Sequence, residues 1–157
     1  MTRLLSGTAA ITIATVAAPV LAAGPLQVSA SVMVEAKERG TDGAVRVKLV
    51  PASRVVPGDR MTLVVAYRNT GGQPLSNVVI ANPVPAALMF QAAAPGSPAP
   101  EVSADGKTFT TLSALRVAGP AGPRAAKPAD VTHVRWRMTA PIAPGAEGRF
   151  AFNAVLK

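Results

Sequence analysis

The chain is predicted to be an all-β protein, an immunoglobulin-like antiparallel β-sandwich of seven to eight strands preceded by a signal-peptide helix. Three observations point there: apolar residues recur at every second position in several short runs, turn-forming Pro, Gly and Asn separate those runs, and no helical periodicity follows the first 22 residues. Cysteine is absent, so no disulfide can brace the fold and the hydrophobic core must carry it.

Residues 1–22 have the three parts of a secretory leader. Arg3 supplies the positive start, Leu4 to Ala18 an apolar stretch of small residues, and Pro19-Val20-Leu21-Ala22 a helix break with small side chains for a peptidase. Cleavage is expected between Ala22 and Ala23. A membrane anchor would need about 20 consecutive apolar residues, whereas Thr12, Thr15 and Pro19 interrupt this stretch. Removing 22 of 157 residues leaves 135, a length suited to one domain. Fifteen basic and eight acidic residues remain, a net charge of +7. The basic residues are scattered rather than run together, so neither a nucleic-acid stripe nor a polybasic tail is predicted, and no later segment is apolar enough to span a membrane.

Residues 23–43 form the N-terminal strand and turn, continuous with the main domain over 44–157. Leu26, Val28, Ala30, Val32 and Val34 alternate with polar or small residues and predict a half-buried strand. Asp42-Gly43 offers the positive φ angles of a tight turn, and a second strand is predicted from Ala44 to about Pro51. Pro57-Gly58-Asp59 turns the chain into Arg60 to Asn69, the expected central strand, with Met61, Leu63, Val65 and Tyr67 on one face. A β-branched strand follows at Asn77 to Ala81, and a short extended piece at Leu88 to Gln91. Asp105-Gly106-Lys107 predicts a hairpin between Glu101 to Ser103 and Thr108 to Leu112. Ala118 to Ala129, almost wholly Ala, Gly and Pro, predicts a mobile loop. Val131 to Thr139 alternates with Val134, Trp136 and Met138 inward and His133, Arg135 and Arg137 outward, and Phe150 to Leu156 closes the sandwich.

Several of these residues, Val56-Pro57-Gly58-Asp59, the strand through Tyr67, Asn69-Thr70-Gly71-Gly72, Asn77-Val78-Val79-Ile80 and Pro83-Val84-Pro85, resemble a bacterial conserved repeat domain, the domain-of-unknown-function family numbered eleven. The Trp136 strand and Ala143-Pro144-Gly145 are similar to that family's closing half, so the resemblance spans about Val45 to Lys157. It implies an immunoglobulin-like domain of surface and secreted proteins, used as a stalk, spacer or adhesive module. Tyr67, Asn69, Gly71 and Trp136 are the expected fold anchors.

Catalysis requires a nucleophile with its base, paired carboxylates or a metal cluster. The chain has one His and no Cys, and its carboxylates are scattered apart from Glu35 and Glu38. The expected function is therefore that of a non-enzymatic, exported structural or binding module, periplasmic or extracellular, with no cofactor. Its partner would be a cell-envelope protein or surface glycan, met by strand addition at a sheet edge or at the His133, Arg135, Arg137 face. Nucleic acid is not expected, because aromatic platforms are missing beside the cations. Two alternatives are a periplasmic chaperone or assembly factor of similar fold, and a periplasmic metal-binding domain using Met33, Met61, Met89 and Met138. A Lys-Asn cross-link from Lys48 to Asn82 or Asn153 would need a buried catalytic carboxylate, which the strands do not obviously provide.

Overall fold

The computed structural model describes residues 24–39, 41–51 and 55–157. The expected signal peptide and its cleavage site at Ala22 and Ala23 lie outside the described residues. The described residues form ten strands: β1 (Leu26–Arg39), β2 (Val45–Pro51), β3 (Arg60–Asn69), β4 (Val79–Pro83), β5 (Leu88–Ala93), β6 (Glu101–Ser103), β7 (Arg116–Val117), β8 (Arg124–Ala125), β9 (His133–Arg137) and β10 (Glu147–Leu156). Their paired neighbours are antiparallel throughout. Eight of them build a β-sandwich, one sheet in the order β2-β1-β3-β10-β5 and the other in the order β4-β9-β6. The remaining two, β7 and β8, are two-residue pieces that pair with each other. Among the described residues the one helical element is a 3-10 turn at Pro128–Asp130.

β3 runs through the middle of the larger sheet because both its neighbours, β1 and β10, read its backbone over nearly its whole length. Its period of two sends Met61, Leu63 and Val65 inward, each at most 4% exposed. Phe150 and Phe152 of β10 join them and meet Ile80, Val102, Val134 and Trp136 of the smaller sheet in one hydrophobic cluster. Full burial of a side chain such as Leu63 or Phe152 contributes about 1.5–3 kcal/mol. The two sheets are registered by aromatic contact: the Trp136 indole stacks on Phe150, with centroids 4.8 Å apart and planes 8° from parallel.

Three local expectations need correction. Val28 and Ala30 are exposed, Val28 at 44%, because the three-stranded sheet is too narrow to cover the outer part of β1. Only Leu26, Val32 and Val34 of that predicted face pack against the core. The strand expected at Thr108 to Leu112 shrinks to an isolated bridge at Thr110, which exchanges two main-chain hydrogen bonds with Val102. Finally, the Ala118 to Ala129 segment is tied down rather than loose. Arg124 and Ala125 pair with β7, the Ala126 amide donates to the Leu115 carbonyl, and the Arg124 guanidinium grips both Asp130 oxygens at 2.7 and 2.8 Å. Composition argued only that the segment has little to bury, and main-chain pairing needs no burial.

Candidate functional site

The sequence singled out two kinds of surface, a basic strand face and a sheet edge, together with four fold anchors, Tyr67, Asn69, Gly71 and Trp136. Asn69, fully buried at the end of β3, organises the turn that follows. Its side-chain amide donates to the carbonyls of Gln73 and Ile142, and its oxygen accepts the Gly71 amide at 2.9 Å. Gly71 is needed here for close approach: a Cβ would stand 2.7 Å from the Pro25 Cβ, and that proline leads into β1. The Thr70 amide also donates to the Pro25 carbonyl, so this turn fixes where β1 starts. Tyr67 leans over Gly148, whose missing side chain makes the room, and contacts the Phe150 ring. Trp136 is 3% exposed, and its indole N–H donates to the Pro98 carbonyl at 3.0 Å.

β9 presents His133, Arg135 and Arg137 on the face away from Trp136, as its register with β4 and β6 requires. The charges of the two arginines are largely engaged. Glu101, opposite Arg135 on β6, takes a hydrogen bond from the Nε of Arg135 and another from the Nε of Arg137 at 3.3 Å. The Arg135 hydrogen bond, with the charges of both arginines, holds the Glu101 carboxyl below its ordinary range against the opposing effect of burial. The Arg135 guanidinium also lies 4.2 Å from the centre of the Phe109 ring. Two guanidinium groups against one carboxylate leave this face one net positive charge, carried mostly by Arg137, whose side chain is 57% exposed against 18% for Arg135.

His133 has a structural task of its own. Its ring covers Gly106, a left-handed residue at φ +73° in the Asp105-Gly106 turn, and its Nδ1 is 2.9 Å from the Thr132 hydroxyl. That turn is closed by Asp105, which accepts the amides of Lys107 and Thr108 and the buried Ser103 hydroxyl. No group of three His, Asp or Glu converges among the described residues. The four methionines are dispersed as well: Met61 lies in the core, Met138 at its margin, and Met33 and Met89 on strands of the larger sheet separated by two others. Lys48, on β2, is three strand positions from Asn153 on β10, about 14 Å at the usual spacing. Asn153 accepts a hydrogen bond from Thr62, and Asn82 stands on the other sheet, so the imagined cross-link has no assembled site.

The edge is better defined. β1 is fourteen residues long, and its two halves have different neighbours: Leu26–Val34 pairs with β3, whereas β2 covers Met33–Arg39 on the opposite side. Among the described residues no strand pairs with Leu26–Val32 on that second side. The Thr70-to-Pro25 hydrogen bond fixes the phase, and alternation along an antiparallel strand then aims the N–H and C=O groups of Leu26, Val28, Ala30 and Val32 at the open side. From Leu26 to Val34 there is neither charge nor proline, the devices that ordinarily discourage pairing at an edge. Of the exposed side chains on this face of the open segment, Ser29 and Ser31 are small and Gln27 is uncharged.

The chain matches no protein-family model, no curated protein and no solved structure.

Proposed function

We propose that this chain is an exported, non-enzymatic structural or binding module of the bacterial cell envelope, immunoglobulin-like in kind, that works by strand addition at the open half of β1. The observation that carries this reading is the seven-residue stretch Leu26–Val32, whose outward main-chain groups lack a partner strand among the described residues. Main-chain hydrogen bonds to such an edge supply affinity, and side chains at alternate positions supply selectivity. The leader pattern of residues 1–22 supports the compartment, and the turn residues that resemble the conserved repeat domain support the type of module.

The polar groups that would be natural catalytic candidates have structural partners. Thr132 engages His133, Arg135 and Arg137 share Glu101, the Ser103 turn uses Asp105, and Arg124 holds Asp130. Of the two surfaces, the edge is also the freer one, since Glu101 offsets much of the charge on the β9 face.

The test is made in the producing cell. Fractionation should place the chain in the envelope or medium with Ala23 as its first residue, and Val28→Lys should release it from its envelope partner while Arg137→Ala does not. A chain retained in the cytoplasm with its first 22 residues intact would overturn the compartment. Envelope association that survives Val28→Lys and is lost with Arg137→Ala would move the contact from the edge to the β9 face.

A further inference from the structure

The face of the larger sheet that points away from the core is hollowed rather than flat. Because Met61, Leu63 and Val65 turn inward, Arg60, Thr62, Val64, Ala66 and Arg68 of β3 point outward. A cavity of about 720 Å³ at one end is lined by Gln27, Ser29, Ala66, Arg68, Glu147 and Arg149. A second, of about 530 Å³, shares Arg149 with the first and runs over Val64 and Ala151, between Leu49 of β2 and the Ala94-Pro95 turn. A third, of about 250 Å³, shares Thr62 and Asn153 with the second and reaches Arg60. The three follow one another along β3 and β10 as a groove about 27 Å long between Arg60 and Arg68, at the usual rise per residue.

The charge of this groove is one-sided. Arg68 stands opposite Gln27 and Glu147, and Arg149 stands across Ala66 from Ser29. Arg60, Arg68 and Arg149 are exposed, and among the described residues none of them has an ion pair or a side-chain hydrogen bond, unlike Arg124, Arg135 and Arg137. Glu147 is the one acid among the described residues that line the groove. Uncharged polar groups lie between the cations: the Gln27 amide, the Ser29 and Ser31 hydroxyls, and Asn153. The Asn153 oxygen accepts the Thr62 hydroxyl at 3.0 Å, which leaves its amide hydrogens for a ligand.

These groups select an occupant that is long, anionic and hydroxylated. The planar fork of an arginine matches a carboxylate with two hydrogen bonds, and Glu147 can accept from a hydroxyl but repels a bare polyanion. An extended peptide fits poorly, since the main-chain groups of a sheet point at neighbouring strands and not out of its face, leaving the peptide's own N–H and C=O groups without main-chain partners. Nucleic acid and neutral sugars lack stacking platforms here, because Tyr67, Phe90, Trp136, Phe150 and Phe152 all belong to the core side and Phe109 lies against Arg135. The formal net charge of +8 adds long-range attraction for a polyanion. We propose that the outer groove of the five-stranded sheet binds an acidic polysaccharide, with Arg68 and Arg149 holding its carboxylates and Ser29, Asn153 and Glu147 meeting its hydroxyls. The groove lies on the face of the sheet and is independent of the open edge of β1.

The purified chain, as its host processes it, should bind oligogalacturonate, whose sugars each carry one carboxylate, in titration calorimetry. A neutral glucan of the same length should not bind. Arg68→Ala and Arg149→Ala should each weaken binding about tenfold, the loss expected for one charge-assisted contact. Lys107→Ala removes the same charge from an exposed turn outside the groove and should keep the parent affinity. Ala66→Gln keeps every charge but fills the floor between Ser29 and Arg149, so it should also weaken binding. All four variants should keep the parent's far-ultraviolet spectrum. Equal losses in Lys107→Ala and Arg149→Ala, or full affinity in Ala66→Gln, would reduce the contact to net charge and overturn the groove. Polyglutamate of matching length binding as tightly would overturn the sugar assignment, and oligogalacturonate failing to bind would overturn the proposal.

Discussion

The side-chain amide of Asn69 donates a 2.9 Å hydrogen bond to the carbonyl of Ile142, joining the end of β3 to the chain 73 residues later. Ile142 in turn exchanges main-chain hydrogen bonds with Leu75. The main chain of Asn69 is also tied to that later segment, donating to Ala146 and accepting from Gly145. One fully buried amide thus couples the turn after β3, the approach to β10 and, through Gly71, the start of β1.

Asn69→Asp keeps the acceptor for the Gly71 amide but sets a carboxylate against the two carbonyls that the amide now satisfies. Leaving buried groups unsatisfied costs about 1–3 kcal/mol each, so a loss of about 3 kcal/mol is expected. It should appear as a lower urea midpoint with an unchanged slope. A variant as stable as the parent would mean that the turn is held by its main chain alone.

Trp136→Phe should separate the two roles of the indole. The phenyl ring can keep contact with Phe150, but the hydrogen bond to the Pro98 carbonyl disappears. A smaller ring in a site only 3% exposed also leaves a gap. About 2 kcal/mol of destabilisation is expected from both effects, read by circular dichroism, because the parent's sole tryptophan is removed.

Much of this fold was legible in the sequence, since a period of two places residues on faces without knowledge of their partners. Leu63, Val65, Val134, Trp136, Phe150 and Phe152 all lie in the core, on the side that their alternation requires. Burial was harder to read. The same alternation in β1 leaves Val28 exposed, because exposure depends on how far the opposing sheet extends. The open edge was hidden for a related reason: pairing register is a long-range property, and β1 reaches β2 with one half and β3 with the other. The one local clue was the uncharged run from Leu26 to Val34. On β9 the sequence placed three basic side chains together, while Glu101, some thirty-four residues earlier, was invisible as their neighbour.

Acid should loosen the Asp105 turn. Hydrogen bonds from the Thr108 amide, the Lys107 amide and the Ser103 hydroxyl push the Asp105 carboxyl far below its ordinary range. A folded-state pKa below the unfolded value means that the stabilisation is present above about pH 4 and is lost as pH falls through the folded value. Asp130 behaves alike, held down first by Arg124 and then by the Lys127 amide. Asp105→Asn keeps an acceptor but cannot take up a proton in this range. Between about pH 6 and about pH 2.5 its urea midpoint should therefore fall less than that of the parent. Equal falls would show that other carboxylates govern the acid response.

Glu101 should prove to be the residue that masks the β9 face. It lies between Arg135 and Arg137, and both guanidinium groups direct their Nε hydrogens at one of its oxygens. Exposed ion pairs of this kind contribute about 0–1 kcal/mol, so Glu101→Ala should leave stability nearly unchanged, with Arg135 still resting on Phe109. Its effect should be on surface charge instead, freeing two neighbouring cations where the parent presents mainly Arg137. Glu147→Ala makes the same change in formal charge at the start of β10, away from those two arginines. On a sulfated-polysaccharide column, Glu101→Ala should therefore elute at higher salt than Glu147→Ala. Coincident elution would mean that Glu101 does not mask the face and that retention follows net charge alone.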